Sequence, residues 1–155
     1  MNSRAQEAYN AAKLGAVLAD YGYTCQRLVD DYNGADILAI PSGGTGDILR
    51  IQLKGEFTIA QKYVGKNLHI AFPKRDMPHR ERPIIAWYLF DHDEVLRRVE
   101  EDPTINWLNT KSWNSSTHKS WNTGWSATVE RLLDGYRLHE VCYDQRNTTE
   151  KAGLM

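Results

Sequence analysis

Polar side chains interrupt two short apolar segments between residues 33 and 56, and three of them could act together. Asp36 lies in the first segment, ADILAI, and Gln52 and Lys54 lie in the second, ILRIQLK. Aliphatic and β-branched runs separated by a Gly-rich link predict two strands of a hairpin. Gln52 and Lys54 are two residues apart, so they lie on the same face of a strand. With Asp36 on the neighbouring strand, we expect one site that holds an acid, an amide and an ammonium.

These three groups together are suited to binding a divalent cation and a phosphate. Carboxylate and carbonyl oxygens are ligands for Mg²⁺, which keeps several of its waters. A lysine beside such a site can orient a water and stabilise the charge that develops on a phosphate. The same residues also fit an antiparallel strand with one solvated polar face. Residue types alone leave both interpretations open.

The order of Asp36, a hairpin and then Gln52-Leu53-Lys54 resembles the core motif of the PD-(D/E)XK nuclease superfamily, which has the restriction-endonuclease-like fold. The upstream helix and the glycine–tyrosine entry to the first strand add to the likeness, which covers roughly residues 4–71. The resemblance implies an α/β (α+β mixed) fold with a three-layer core, in which helices flank a mixed β-sheet. Two positions depart from the family pattern: Gln52 stands where Asp or Glu is usual, and Ala35 stands where Pro is usual.

The resemblance also implies a function, the hydrolysis of phosphodiester bonds in DNA with Mg²⁺ or Mn²⁺. Asp36 would be the main metal ligand, and Glu7 on the first helix would be a second carboxylate ligand. Gln52 would have an orienting role or bind the metal weakly, and the Leu53 carbonyl would coordinate too. Lys54 would position the attacking water. The alternative for Glu7 is that it only favours the positive end of the helix dipole.

Two alternatives to a nuclease remain open. Because Gln52 replaces a carboxylate, a catalytically weak or inactive module of the same fold would bind nucleic acid or a partner protein. An interaction protein without any role on nucleic acid is the third hypothesis, since the formal net charge of −1 provides no global basic field. A nuclease that cuts both strands of DNA would favour a homodimer with two active sites.

Basic and aromatic side chains after the second hairpin strand are candidates for contacts with nucleic acid. Basic residues outnumber acidic ones between residues 54 and 82, and a tryptophan-rich segment with two copies of Lys-Ser-Trp-Asn follows later. Such residues can bind phosphates or stack on bases. The alternatives are solvated lysines and tryptophans that anchor a loop on the core. The candidates are Lys62, Tyr63, Lys74, Arg75, Trp113 and Trp121.

The length and composition predict one globular domain. The chain has 155 residues, of which 41% are hydrophobic, and this is enough to bury a core. We expect a single domain over residues 1–143 and a loosely ordered tail over residues 144–155. Only two cysteines occur, and neither an apolar run of membrane-spanning length nor a signal peptide is found. A cytoplasmic protein with no membrane partner is therefore expected.

Periodicity predicts the remaining elements. The apolar run PIIAWYLF indicates a central strand that is buried on both faces. Asp91 and Glu94 have the spacing of a helix-capping box, whereas four adjacent residues cannot all face one metal on a helix. The crossover after Lys54 is short and contains Gly65, so no long helix is expected there. The other predictions are helices over 3–21 and 126–133, strands over 24–29 and 68–72, the latter ending at Pro73, and a loop over 74–82.

Overall fold

A helix and a long hairpin begin the fold. The computed structural model describes residues 2–77, 81–105 and 120–139. Helix α1 (Ser3–Asp20) is capped by the side chain of Asn2, which accepts a hydrogen bond from the Ala5 N–H at 2.8 Å. Strands β1 (Tyr23–Tyr32) and β2 (Ala35–Pro41) follow and pair antiparallel. Their turn is Asn33-Gly34, with φ of 51° and 89°, and such positive values are typical of a tight hairpin turn.

The later elements complete a mixed sheet. The six-stranded sheet has the order β1-β2-β3-β5-β6-β8, and a separate two-stranded sheet pairs β4 with β7. Strands β3 and β5 run parallel, and the other neighbours run antiparallel. The elements after β2 are β3 (Leu49–Leu53), β4 (Phe57–Ala60), a 3₁₀ turn (Gln61–Tyr63), β5 (His69–Arg75), β6 (Ile84–Asp91), α2 (His92–Glu101), β7 (Ser120–Thr123), α3 (Ala127–Leu132) and β8 (Arg137–Leu138).

The core lies on both faces of the six-stranded sheet. On one face, Leu14 and Leu18 of α1 pack against a cluster that includes Trp87 and Leu89 of β6. On the other face, α2, α3 and β4 pack against a second cluster, which includes Phe90 of the same strand. Because side chains alternate along a strand, β6 supplies both clusters. The predicted mixed α/β architecture with helices on both faces of the sheet is confirmed, as is the doubly buried strand.

Two local predictions need correction. Strand β5 does not end at Pro73 but continues to Arg75, and Pro73 is paired with Trp87. The Ala71 carbonyl accepts a hydrogen bond from Lys54 N, so Ala71 and, two residues later, Pro73 both face the β3 side. Since β3 has ended there, the missing N–H of Pro73 breaks no hydrogen bond of the sheet. The predicted loop over 74–82 therefore starts two residues later.

The crossover from β3 to β5 is short, as expected, but it contains an unexpected strand. Instead of a long helix it holds β4 and one 3₁₀ turn. The buried side chain of His92, at the start of α2, stabilises the beginning of the 3₁₀ turn, because its Nε2 accepts a hydrogen bond from Ala60 N at 3.0 Å. Its Nδ1 therefore carries the proton and donates to Asp93 Oδ1 at 2.9 Å. Gly65 N also donates to Asp93, at 2.9 Å, so α2 fixes both ends of the turn.

Local signals in the sequence predicted both later helices correctly. Asp91 caps α2 by accepting a hydrogen bond from Glu94 N at 3.0 Å, which confirms the capping interpretation of this acidic run. Ser126 caps α3 in the same way, accepting from Val129 N at 3.3 Å. Across the described parts of the chain, none of the helices is long and apolar enough to span a membrane.

Candidate functional site

Asp36 and Gln52 meet where β2 and β3 begin to separate. Their register pairs Ile37 with Ile51, so Asp36 and Gln52 are the next residues toward this end. Gln52 Nε2 donates a hydrogen bond to Asp36 Oδ2 at 2.6 Å, and Leu53 N donates to the same oxygen at 3.0 Å. The carboxylate thus receives a backbone N–H of the neighbouring strand. The expected acid and amide do lie on one face, held by two donors.

Lys54 follows directly after β3, at the same end. Its backbone N–H donates to the Ala71 carbonyl at 2.8 Å, which keeps it beside β5 as the strand ends. Its ammonium lies 5.5 Å from the centre of the Tyr63 ring, within the range of a cation–π contact. The structure therefore holds both the backbone and the side chain of Lys54 at the rim of the region around Asp36.

A cavity of about 530 Å³ opens between α1 and this end of the hairpin. Its wall combines two carboxylates, two basic groups and three amide side chains, a composition suited to charged ligands rather than apolar ones. The predicted residues Glu7, Asp36, Gln52 and Lys54 all line it. The other residues in the wall are Ser3, Gln6, Asn10, Ala11, Arg27, Leu28, Val29, Ile37, Leu53 and Gly55.

Glu7 is the helix-borne carboxylate of the cavity, and it has a basic partner there. Arg27 Nη2 on β1 lies 3.8 Å from Glu7 Oε2. The side chains are 50% and 67% exposed respectively, so water screens their attraction strongly. Arg27 is not among the site residues predicted from the sequence. Its signal was weak: it is the one cationic side chain of the first predicted strand.

Two buried amide side chains of α1 also line the cavity beside Glu7, and neither was predicted from the sequence. Gln6 Nε2 donates to Asn10 Oδ1 at 3.1 Å, and Arg75 Nη2 donates to the same oxygen at 3.1 Å. Gln6 and Asn10 belong to a buried stripe with Leu14 and Leu18, spaced four residues apart. Polar residues at the start of an otherwise apolar stripe were the available signal.

The oxygen atoms around Asp36 are of the type that binds Mg²⁺ or Mn²⁺, but they are few. Within the described ranges, no group of three or more His, Cys, Asp or Glu side chains is placed to hold a metal ion. Mg²⁺ is nonetheless often bound by one or two carboxylates together with waters and substrate phosphates. Asp36 and Glu7 are the two carboxylates that line the cavity, and the Leu53 carbonyl accepts a hydrogen bond from Gln52 Nε2 at 3.4 Å. Gln52 presents its nitrogen to Asp36, so in this geometry it orients the carboxylate and does not offer its oxygen at that contact.

Lys62 and Tyr63 are neighbours on the 3₁₀ turn, but one is exposed and the other is buried. Lys62 is exposed on the 3₁₀ turn, and its ammonium lies 5.1 Å from the Tyr63 ring centre. Tyr63 is only 4% exposed and meets His92 edge-on at 5.7 Å. A buried ring cannot stack on a nucleobase, so the predicted base contact by Tyr63 is replaced by packing in the core. Lys62 keeps the exposure that a phosphate contact requires.

The other nucleic-acid candidates are held mainly by protein contacts. The Lys74 ammonium lies 4.5 Å from the Trp125 ring centre, and Arg75 Nη1 donates to the Arg82 carbonyl at 2.6 Å. Trp121 on β7 is half-buried and packs edge-on against Phe57 at 5.5 Å, in agreement with the packing interpretation. Trp113 lies outside the described residues, as does the predicted tail over 144–155.

The site therefore consists of a carboxylate clamped between two strands, a lysine at the strand end and a second carboxylate on α1. Comparison of the chain with protein-family models, with curated proteins and with solved structures finds no match.

Proposed function

We propose that this chain is a metal-dependent nuclease that hydrolyses phosphodiester bonds in DNA at the cavity beside Asp36. The observation that carries the proposal is the contact of Asp36 with Gln52 in a cavity that Lys54 and Glu7 also line. The fold supports it, because a mixed sheet with helices on both faces is the architecture that the PD-(D/E)XK resemblance implies.

Each residue of the site has a role in this proposal. A bound Mg²⁺ or Mn²⁺ would supply positive charge and an activated water at the phosphate. Asp36 and Glu7 would provide the carboxylates that hold the ion. Gln52 and the Leu53 N–H fix the orientation of the Asp36 carboxylate, so little reorganisation is needed when substrate arrives. Lys54 stabilises the negative charge that develops on the phosphate and orients the water.

A second candidate is a nuclease-fold module that binds nucleic acid or a partner protein without cutting. The observation in its favour is the identity of residue 52, because an amide neutralises no metal charge. Glu7 is also engaged by Arg27 of β1, a partner that a metal ligand would have to leave. This candidate predicts DNA binding that does not depend on a divalent ion.

A cleavage assay separates the two candidates. Duplex DNA with Mg²⁺ or Mn²⁺ should be cut by the wild-type protein, and Asp36→Asn and Lys54→Ala should each slow cutting by at least about 100-fold. Asp134→Asn, an exposed acid that does not line the cavity, is the control and should cut normally. Undiminished cutting by both site variants would refute the assignment. Metal-independent binding without cutting by the wild type would favour the second candidate.

The proposal extends to assembly and location. Two copies, each with one site, would cut the two strands of a duplex, so a homodimer on DNA is expected. Sedimentation of the protein with and without a short duplex measures this assembly directly.

The activity would belong to the cytoplasm, where Cys25 stays reduced. The Cys25 thiol is half-buried, and burial raises its pKa above the ordinary value. The raised pKa makes the thiol less reactive.

A further inference from the structure

We propose that Arg27 binds the phosphate of the substrate, and that the cavity binds DNA and a divalent cation cooperatively because Arg27 and Glu7 exchange partners. This inference rests on the proposed function and adds a residue and a coupling to it. Without substrate, Arg27 and Glu7 pair with each other. With substrate, Arg27 pairs with a phosphate and Glu7 turns to the cation beside Asp36.

The geometry of the pair suits an exchange of this kind. The two side chains come from different elements, α1 and β1, and both line the cavity that contains Asp36 and Lys54. Their closest nitrogen–oxygen distance is 3.8 Å, and half or more of each side chain is exposed. Exposed pairs at such distances contribute little to stability. Each partner can therefore leave the other for a stronger ligand at small cost.

The charges of the cavity favour the joint arrival of cation and phosphate. Glu7 and Asp36 carry two negative charges, and Arg27 and Lys54 carry two positive charges, so the formal sum is zero. A cation that binds alone takes Glu7 and leaves Arg27 close to positive charge. A phosphate that binds alone takes Arg27 and leaves Glu7 close to negative charge. When both bind, each charged side chain has an opposite partner, so each ligand strengthens the binding of the other.

An arginine is better suited than a lysine to the phosphate role at this position. Its planar fork donates two parallel hydrogen bonds to a phosphate, whereas a lysine acts as a single point charge. Lys54, which also lines the cavity, already supplies such a point charge. Arg27→Lys should therefore restore only part of the DNA affinity that Arg27→Gln removes.

The test measures binding, in a Lys54→Ala background so that DNA stays intact. Affinity for a short DNA duplex is measured by fluorescence anisotropy over a range of salt concentrations, and Mg²⁺ binding is measured by calorimetry with and without the duplex. We expect the partner exchange to contribute about two- to fivefold to the tightening of Mg²⁺ binding by the duplex, the range that an exposed ion pair can supply. Adding Arg27→Gln should remove this contribution, leaving the direct attraction between cation and phosphate, and should lower the salt slope of DNA binding by about 0.9.

Two further variants make the result specific. Glu7→Gln should weaken Mg²⁺ binding but strengthen metal-free DNA binding, because it removes the competitor for Arg27. A purely structural role for either residue would not produce these opposite signs. Arg131→Gln is the matched control, since Arg131 is 54% exposed, is paired with Asp102 at 2.8 Å and does not line the cavity. It should leave the coupling and the salt slope unchanged.

The possible outcomes distinguish the partner exchange from the proposed nuclease function. If the background protein binds Mg²⁺ and DNA, and Arg27→Gln changes neither the coupling nor the salt slope, the partner exchange is refuted while the proposed nuclease function stands. If neither Mg²⁺ nor DNA binds to the wild-type protein, the proposed function is refuted, and the exchange with it. A coupling that is reduced only in the Arg27 and Glu7 variants supports both.

Discussion

Gln52 clamps Asp36 with its amide nitrogen, at a distance of 2.6 Å between Nε2 and Oδ2. A carboxylate at position 52 would bring two acids to this distance, and without a cation they would repel each other. The amide gives the site one negative charge fewer and a donor in place of an acceptor. The clamp thus explains how Asp36 is held in a half-buried place when no cation is present, and it predicts a weaker cation site than two strand carboxylates would form.

The variant Gln52→Glu tests whether the amide stabilises Asp36 without a cation and weakens cation binding. It replaces a hydrogen bond to a charged group with a like-charge contact, so we expect a loss of about 1.5–3 kcal/mol in the free energy of unfolding without metal. Mg²⁺ should restore part of this loss, because binding to the folded state alone raises its stability. Thermal unfolding with and without Mg²⁺ measures both effects. Gln61→Glu, on the 3₁₀ turn and outside the cavity wall, is the control.

An equal response of the Gln52→Glu and Gln61→Glu variants to Mg²⁺ would contradict the clamp. The destabilisation should also fade at low pH, since protonation of either carboxyl group removes the repulsion. A loss of stability that persists unchanged at pH 3 would point instead to a packing defect at position 52.

Gly34 in the β1–β2 turn is predicted to be essential for the packing of Leu68 and Tyr63 against this turn. A Cβ atom there would lie 2.8 Å from Leu68 Cδ1 and 3.4 Å from two Tyr63 ring carbons, and the backbone has a φ of 89°. Gly34→Ala should therefore destabilise the protein by about 1–3 kcal/mol through overpacking and backbone strain. Urea unfolding measures the change.

Gly44→Ala isolates the contribution of packing at Gly34. Gly44 also has a positive φ, of 71°, but a Cβ there meets no atom within 4 Å. The difference between the two variants is thus the cost of the contact with Leu68 and Tyr63. Equal destabilisation in both variants would show that backbone strain alone decides the outcome.

The first hairpin and the local caps were largely predictable, because the signals lie within a few residues. Strand alternation and a Gly-rich link predicted that Asp36 and Gln52 share a face, and Asp91 carried a clear capping signal. The pairing of β4 with β7 was missed, since it joins Phe57 to Thr123 across a long separation in sequence. No local pattern identifies that partner.

The rest of the cavity also depends on contacts between distant segments. Glu7 and Arg27 meet only because of the path that α1 takes across β1, and a helical pattern carries no information on that path. Tyr63 resembled an exposed aromatic residue beside lysines, but the absence of a side chain at Gly34 leaves room for its ring in the core. Sequence patterns thus predicted the strand-borne residues of the site better than its wall.

Asp93 is expected to make the protein sensitive to acid. Burial by itself raises the pKa of Asp93, but hydrogen bonds from His92 and from the Gly65 N–H outweigh it and hold the pKa below the ordinary value. A lowered pKa in the folded state means that its stabilising effect is complete above the ordinary value near pH 4. The effect is lost as the pH falls through the lower, folded-state pKa.

Urea unfolding of Asp93→Asn between pH 2.5 and pH 6 would measure this contribution. The variant should be less stable than the wild type at pH 6, and the difference should shrink toward the acid end. Asp134→Asn, for which no such contacts are found among the described residues, serves as the control. A constant difference between Asp93→Asn and wild type across the pH range would exclude the linkage.

Calorimetric titration with Mg²⁺ or Mn²⁺ tests the central claim most directly, with the wild type and Asp36→Asn measured in parallel and again with a short DNA duplex present. We predict saturable binding by the wild type, tightened by the duplex, and its loss in Asp36→Asn, with cooperative thermal unfolding to show that the variant is folded. Wild-type binding that survives in Asp36→Asn, or no binding even with DNA present, would contradict a metal-dependent nuclease site at this cavity.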